Sequence, residues 1–99
     1  MYLIQLLLPA PGAGNHTAAF ARTREELIER FHGVTAYERA PAHGVWIAPD
    51  GEKERDAVVM VEVVTEVFDR QWWRDYAKAL AARLGEEEIH VRALPAETP

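Results

Sequence analysis

Hydrophobic residues along the chain follow two different periods, which alternate from one segment to the next. The apolar run from Tyr2 to Leu8 stops at a proline and predicts a buried first strand. The run from Ala57 to Thr65 is rich in β-branched residues and apolar at nearly every position, which is typical of a central strand. Shorter extended runs cover Val34 to Arg39, Val45 to Ala48 and Glu88 to Leu94.

The first of two segments with helical spacing lies between strands one and two. Four apolar residues share one face of this predicted helix: Phe20, Leu27, Ile28 and Phe31. Asn15 or Thr17 would cap an early start of the helix. Thr23 and Glu26 would instead form a capping box for a later start. Gly33 stands where the C′ glycine of a helix belongs, so we expect the helix to end just before it.

The second helical segment follows the central strand. Asp69 is a good N-cap, and Gly85 marks the end. The main apolar face contains Trp73, Ala77, Leu80 and Leu84. Trp72 and Tyr76 form an adjacent stripe. We expect Trp73 in the core rather than in an aromatic cage and leave the role of Trp72 open.

The order of elements is therefore β-α-β-β-α-β across residues 1–99. We expect a break of the second strand at Ala40–Gly44 and a turn at Pro49–Gly51. Residues 95–99 are expected to form a loose tail. Two right-handed βαβ units joined by a hairpin give an α+β, ferredoxin-like single domain. Its four-stranded antiparallel sheet carries both helices on one face. The other face is left open.

Strand alternation predicts which residues lie on this open face. The apolar ones are Leu3, Leu7, Met60, Val64 and Leu94. The polar ones are Gln5, Glu62, Glu66, His90 and Arg92. The face of the second strand, Val34–Ala36–Glu38 or Thr35–Tyr37–Arg39, cannot be assigned. Such an apolar sheet face is expected to pack against a second copy, which predicts a homodimer.

Composition narrows the function classes. A net charge of −5 argues against a nucleic-acid partner, because phosphate backbones are repelled. The absence of cysteine excludes disulfides, thiolate metal sites and a cysteine nucleophile. The first apolar run lacks the features of a signal peptide and is too short to span a membrane, so a cytoplasmic protein with no membrane partner is expected.

Candidate chemistry lies on the open face and near the strand break. His90 and Glu62 would form a histidine–carboxylate general base, and Arg92 would bind an anionic group or stabilise an enolate. Tyr37, Arg39 and Trp46 surround the break and would bind a small-molecule substrate. The alternative is that these residues are polar interface or solvent-exposed groups and that the break is a structural bulge. No histidine pair has metal-ligand spacing and no nucleotide-binding motif is present, so no metal or cofactor is expected.

One run lies within the βαββαβ order of Tyr2 to Leu94: Arg30-Phe31-His32-Gly33-Val34-Thr35-Ala36-Tyr37-Glu38-Arg39-Ala40-Pro41-Ala42-His43-Gly44-Val45-Trp46. In this context the run resembles a set of small bacterial proteins of the ferredoxin-like, dimeric α/β-barrel type. The wider group includes cofactor-free monooxygenases and muconolactone-isomerase-like enzymes. The resemblance implies a fold and a dimeric assembly. It supplies no catalytic motif that can be carried across residue by residue.

Three functional hypotheses follow. The first is a homodimeric domain to which the sequence assigns no activity. The second is a cofactor-free monooxygenase- or isomerase-like enzyme that acts on a small, partly apolar substrate. The third is a protein-interaction or sensing module that binds through the Pro41–Gly51 hairpin.

Overall fold

The computed structural model describes residues 1–9, 16–37, 42–47 and 53–99, with side chains for residues 1–9, 17–37 and 58–99. Its elements are β1 (Tyr2–Pro9), α1 (His16–Phe31), β2 (Thr35–Ala36), β3 (Ala42–Ile47), β4 (Lys53–Thr65), α2 (Arg70–Leu84) and β5 (His90–Pro95). The α+β, ferredoxin-like βαββαβ prediction is confirmed, with the second strand divided into β2 and β3.

The sheet is antiparallel throughout, in the order β2-β4-β1-β5, and β3 also pairs with β4. The central strand β1 pairs with β4 along its whole length, from Tyr2 opposite Thr65 to Pro9 opposite Val58. On its other side β1 pairs with β5. This pairing extends beyond Leu94, the predicted end of the last strand, because Ala96 N–H donates to the Met1 carbonyl at 3.0 Å.

The division of the second strand is visible in its register against β4. Ala36 pairs with Val61, but Ala42 pairs with Val58. Between these two pairings the second strand has five residues, whereas β4 has two. The second strand therefore has three extra residues that interrupt the ladder. The break lies earlier in the chain than predicted, because β2 ends at Ala36 rather than at Arg39 and β3 begins at Ala42 rather than at Val45. The predicted Pro49–Gly51 turn lies outside the described residues.

The core lies between the sheet and the two helices. Alternate residues of the central strands are almost fully buried: Ile4, Leu6, Leu8, Val59, Val61 and Val63. The helices cover them with Phe20, Leu27, Trp73, Leu80 and Leu84. Each such side chain contributes about 1.5–3 kcal/mol when it leaves water, so this single layer supplies most of the apolar stabilisation. The predicted inward faces of β1, β4 and β5 are confirmed.

Three sequence expectations for α1 are corrected. The helix begins at His16, so Thr23 lies inside it and its hydroxyl donates to the Ala19 carbonyl at 2.8 Å instead of forming a capping box. Ile28 is 45% exposed rather than on the buried face. The left-handed residue after the helix is His32, with φ 66°, and not Gly33.

The boundaries predicted for α2 are confirmed. The Asp69 carboxylate accepts the Trp72 N–H at 3.1 Å, as an N-cap does. Gly85, with φ 69°, ends the helix, and Glu86 N–H donates to the Ala81 carbonyl at 2.9 Å. This is the Schellman arrangement, for which glycine is preferred because it has no Cβ. Neither helix in the described residues has the length and apolar character needed to cross a membrane.

Aromatic side chains connect the two helices near their ends. Trp73 is 3% exposed and stacks on Phe31 with ring centroids 5.1 Å apart, which confirms its predicted place in the core. Trp72 is half-buried, and the Arg30 guanidinium lies 4.2 Å from its ring centroid. A residue of the same chain therefore covers Trp72, and these rings pack rather than form an open cage.

A group of four polar side chains, here called the helix network, joins α1 to α2: Thr23, Glu26, Tyr76 and Arg83. Arg83 binds both Glu26 carboxylate oxygens, at 2.6 and 3.0 Å, and also donates to the Thr23 hydroxyl at 2.9 Å. The Tyr76 hydroxyl donates to Glu26 at 2.9 Å. The hydrogen bond from Arg83 lowers the pKa of Glu26, despite partial burial. Burial and the bond to Glu26 raise the pKa of Tyr76.

Candidate functional site on the open sheet face

The site is built by strand alternation. Because Val61 and Val63 point into the core, Glu62 between them faces outward. Glu62 lies opposite Gln5 on β1, and Gln5 also lies opposite Arg92 on β5. Their register brings three polar residues from three neighbouring strands into one line across the face.

Side-chain hydrogen bonds join this line into a continuous chain, here called the polar row, of Tyr37, Glu62, Gln5 and Arg92. The Tyr37 hydroxyl donates to Glu62 Oε1 at 2.7 Å, and Gln5 Nε2 donates to Glu62 Oε2 at 2.9 Å. Arg92 Nε donates to Gln5 Oε1 at 3.0 Å. The row therefore runs across the sheet from the edge beside β2 to β5.

Apolar side chains lie on both sides of the polar row. One side, the first flank, consists of Leu3, Val64 and Leu94 in mutual register. The other, the second flank, consists of Leu7 and Met60, with His90 opposite Leu7. Val64 is 54% exposed and Leu94 is 41% exposed. All members of the predicted apolar open face thus lie where the alternation placed them.

The charges of the polar row do not meet within one chain. Each oxygen of Glu62 accepts one hydrogen bond from a neutral donor, and no cation of the described residues forms an ion pair with it. The bond to Glu62 raises the pKa of the Tyr37 phenol, because ionising it would place a second negative charge beside the carboxylate. Arg92 binds a neutral amide rather than an acid.

Of the two predicted catalytic residues, only Glu62 belongs to the polar row. His90 lies two residues from Arg92 on β5 and opposite Leu7. No hydrogen bond or ion pair joins His90 to Glu62 in the described part of the chain, where Tyr37 and Gln5 occupy both carboxylate oxygens. His90 and Glu62 therefore lie on the same sheet face, but they do not form the hydrogen bond that the predicted general-base pair requires.

The predicted substrate-binding residues have different positions. Tyr37 and Arg92 are both in the polar row. The backbone of Trp46 pairs with Glu54, eight residues along β4 from Glu62, which is about 27 Å in an extended strand. Trp46 is thus remote from the row. Arg39 lies outside the described residues.

Gln5 is the site residue that sequence reasoning missed. Alternation placed it on the open face, but no chemical role was assigned to it. The available signal was its position as the one polar residue in the apolar run of the first strand. A polar side chain at the centre of a sheet needs a partner, and the partners of Gln5 are Glu62 and Arg92.

A cleft of about 430 Å³ lies away from the polar row, between α2 and the start of β5. Its apolar lining includes Trp73, Ile89 and Val91, and three cationic residues of α2 also line it: Arg70, Arg74 and Lys78. Of the residues predicted for the site, this cleft includes His90 alone. It therefore does not bring the predicted residues together.

Within the part of the chain that the structure describes, no group of three or more histidine, aspartate or glutamate side chains is arranged to hold a metal ion. No protein-family model, curated protein or solved structure matches this chain.

Proposed function

We propose that this chain is a homodimeric domain of the dimeric α/β-barrel type, in which the open sheet faces of two copies pack together about a two-fold axis. The first flank supports this proposal most directly. Val64 and Leu94 are exposed apolar side chains in register with Leu3, on a sheet whose other face packs against the two helices. Burial of such a patch is favourable in proportion to its apolar area.

The size of the open face is compatible with a stable dimer. Four strands about 4.8 Å apart and a β1 of eight residues give roughly 19 by 26 Å, or about 500 Å² of projected area per copy. Two copies would bury about 1,000 Å², which is near the lower limit for specific interfaces. The accessible area of a corrugated side-chain surface exceeds its projection, so the true value is larger.

Sedimentation velocity of the wild-type chain and of Val64→Lys tests the proposal. The wild type is expected to have twice the chain mass of 11.2 kDa at micromolar concentration. A lysine at the β4 end of the first flank would bury an unpaired charge and is expected to give a folded monomer. Ile28→Lys is the matched control, because Ile28 is 45% exposed on α1, away from the sheet. A wild-type monomer at 100 μM would overturn the proposal.

A second candidate function, a cofactor-free enzyme acting on a small and partly apolar molecule, is favoured by the two hydrogen bonds to Glu62. The Glu62 carboxylate is held by Tyr37 and Gln5, so it is oriented rather than free. A carboxylate fixed in this way and covered by a second copy would be suited to accept a proton from a bound substrate. The apolar flanks would hold the remainder of that molecule.

Native mass spectrometry of the purified protein tests this second candidate. A small molecule bound to the wild type, but lost in Glu62→Gln, would support a ligand site at the polar row. A ligand-free protein from every preparation, or a ligand retained by Glu62→Gln, would count against it. Circular dichroism of the variant provides the control for folding.

A further inference from the structure

The polar row contains one negative and one positive group, and neither forms an ion pair with another residue that the structure describes. Among the described residues, the donors to Glu62 are the neutral groups of Tyr37 and Gln5. Arg92 uses Nε to bind Gln5, and its two terminal nitrogens donate no hydrogen bond to any residue in the described ranges. The two charged residues are on β4 and β5, which lie on either side of β1, so their backbones are about 10 Å apart.

These two charges restrict how two open faces can pack. Burying an unpaired carboxylate or guanidinium is strongly unfavourable, whereas a pair with good geometry offsets much of that cost. A two-fold axis between facing sheets must lie in the plane of the interface, and its two limiting directions are along the polar row and parallel to the strands. An axis along the row would place Glu62 over Glu62 and Arg92 over Arg92 of the second copy.

An axis parallel to the strands has the opposite effect. It exchanges the two ends of the row, so that β5 of one copy lies over β2 of the other and β1 lies over β4. Arg92 then lies within one strand spacing, about 4.8 Å laterally, of Glu62 of the second copy. A long arginine side chain reaches across that offset, and its planar fork matches the geometry of a carboxylate.

We propose that the two-fold axis runs parallel to the strands and that Arg92 of each copy binds Glu62 of the other, which completes both polar rows. This inference depends on the homodimer proposed above and specifies its geometry. Tyr37 and Gln5 each use one acceptor position on Glu62, and a carboxylate has about four, so the remaining positions are available to the incoming guanidinium. Each site is therefore composite and incomplete in one chain.

Charge reversal measured by sedimentation equilibrium tests this pairing. Glu62→Arg and Arg92→Glu, made separately, each place like charges together at both sites and are expected to weaken the dimer roughly 30-fold or more. The double variant restores opposite charges in exchanged positions and is expected to recover the dimer to within several-fold of wild type. The Gln5 amide can rotate to bond either arrangement, so it does not oppose the exchange.

Neutral variants distinguish the two possible axes. With the axis parallel to the strands, Glu62→Gln and Arg92→Gln each break an ion pair and weaken the dimer. With the axis along the row, the same changes relieve repulsion and strengthen it. Circular dichroism and thermal unfolding establish that each variant is folded before its association is measured.

The outcomes separate this inference from the proposal on which it depends. If Val64→Lys abolishes the dimer but the double charge reversal fails to restore it, the homodimer remains and the Arg92–Glu62 pairing is overturned. If neutral variants strengthen association, the axis runs along the row. If the wild type is monomeric, both ideas are rejected together.

Discussion

The helix network and the polar row contain the same four kinds of side chain. Each has a glutamate, an arginine, a tyrosine that donates to the glutamate and one neutral hydrogen-bonding residue. In the helix network Arg83 contacts Glu26 directly, at 2.6 and 3.0 Å. In the polar row Gln5 lies between Glu62 and Arg92 and separates them. The difference is therefore one of arrangement and not of composition.

The comparison shows where one chain can complete a charged network by itself. Glu26 and Arg83 come from two helices that pack against each other, so opposite charges meet in a partly sheltered place. The polar row lies on a surface that no helix or strand of the described residues covers, and its opposite charges stay apart. We expect the first network to contribute to stability, and the second belongs to the surface that we propose to bind a second copy.

The largest change in stability is expected where the complete network is broken. Arg83→Met removes both bonds to Glu26 and leaves the buried Thr23 hydroxyl without its donor, so it should lower the free energy of unfolding by about 2 kcal/mol. We discount the larger cost known for fully buried pairs because the Glu26 side chain is 35% exposed. Urea denaturation at one fixed protein concentration measures the loss.

Arg74→Met is the matched control for that experiment. Arg74 is on the same helix and is exposed. It forms no hydrogen bond or ion pair with another residue that the structure describes. The same substitution there should change stability by no more than about 0.5 kcal/mol. Equal losses at both positions would mean that the helix network contributes nothing specific.

A smaller effect is expected from acidification. The pKa of Glu26 is lowered from its ordinary value of 4.5, mainly by the hydrogen bond from Arg83. A carboxyl group with a lowered pKa stabilises the fold above its unfolded-state value, and that contribution is lost as the pH falls through the folded-state value. Unfolding experiments between pH 6 and pH 3 should show wild-type stability declining below about 4.5, with a shallower decline in Arg83→Met. Parallel curves for the two proteins would contradict this assignment.

The smallest expected effect concerns Tyr37. Its pKa is raised above the ordinary value by the bond to Glu62, so Glu62→Gln should shift its titration back toward that value. Absorbance of tyrosinate, compared with a Tyr37→Phe reference, isolates this group from Tyr2 and Tyr76. An unchanged titration in Glu62→Gln would show that the Tyr37–Glu62 bond is not maintained in solution.

Sequence alternation correctly predicted the faces of β1, β4 and β5, because one face of each strand is packed against helices and must be apolar. It did not decide the face of the second strand, where small and polar residues alternate with little contrast. Pairing with β4 decides it: Thr35 lies opposite Glu62, and Val34 and Ala36 pack against the core. The pairing with β4, and not the local sequence, determines which face of β2 is buried.

The contacts of the site were less predictable than its location. Glu62, Arg92 and Tyr37 were all selected from the sequence, but Glu62 was paired with His90. In the structure the hydrogen-bond partners of Glu62 are Tyr37 and Gln5, and alternation cannot specify such partners because it gives only the face on which each side chain lies. The Glu26–Arg83 contact joins residues 57 positions apart on separate helices, and no local pattern specifies it.

The shortness of β2 has a consequence for motion. This strand has two residues, and it follows a helix end where His32 takes a left-handed conformation that costs a non-glycine residue about 1 kcal/mol. Few ladder bonds therefore resist local opening at this edge, and its amide hydrogens should exchange with solvent before those of β1 or β4. Because Tyr37 directly follows β2, transient detachment of this segment would release Glu62 from its phenolic partner while the rest of the sheet stays closed.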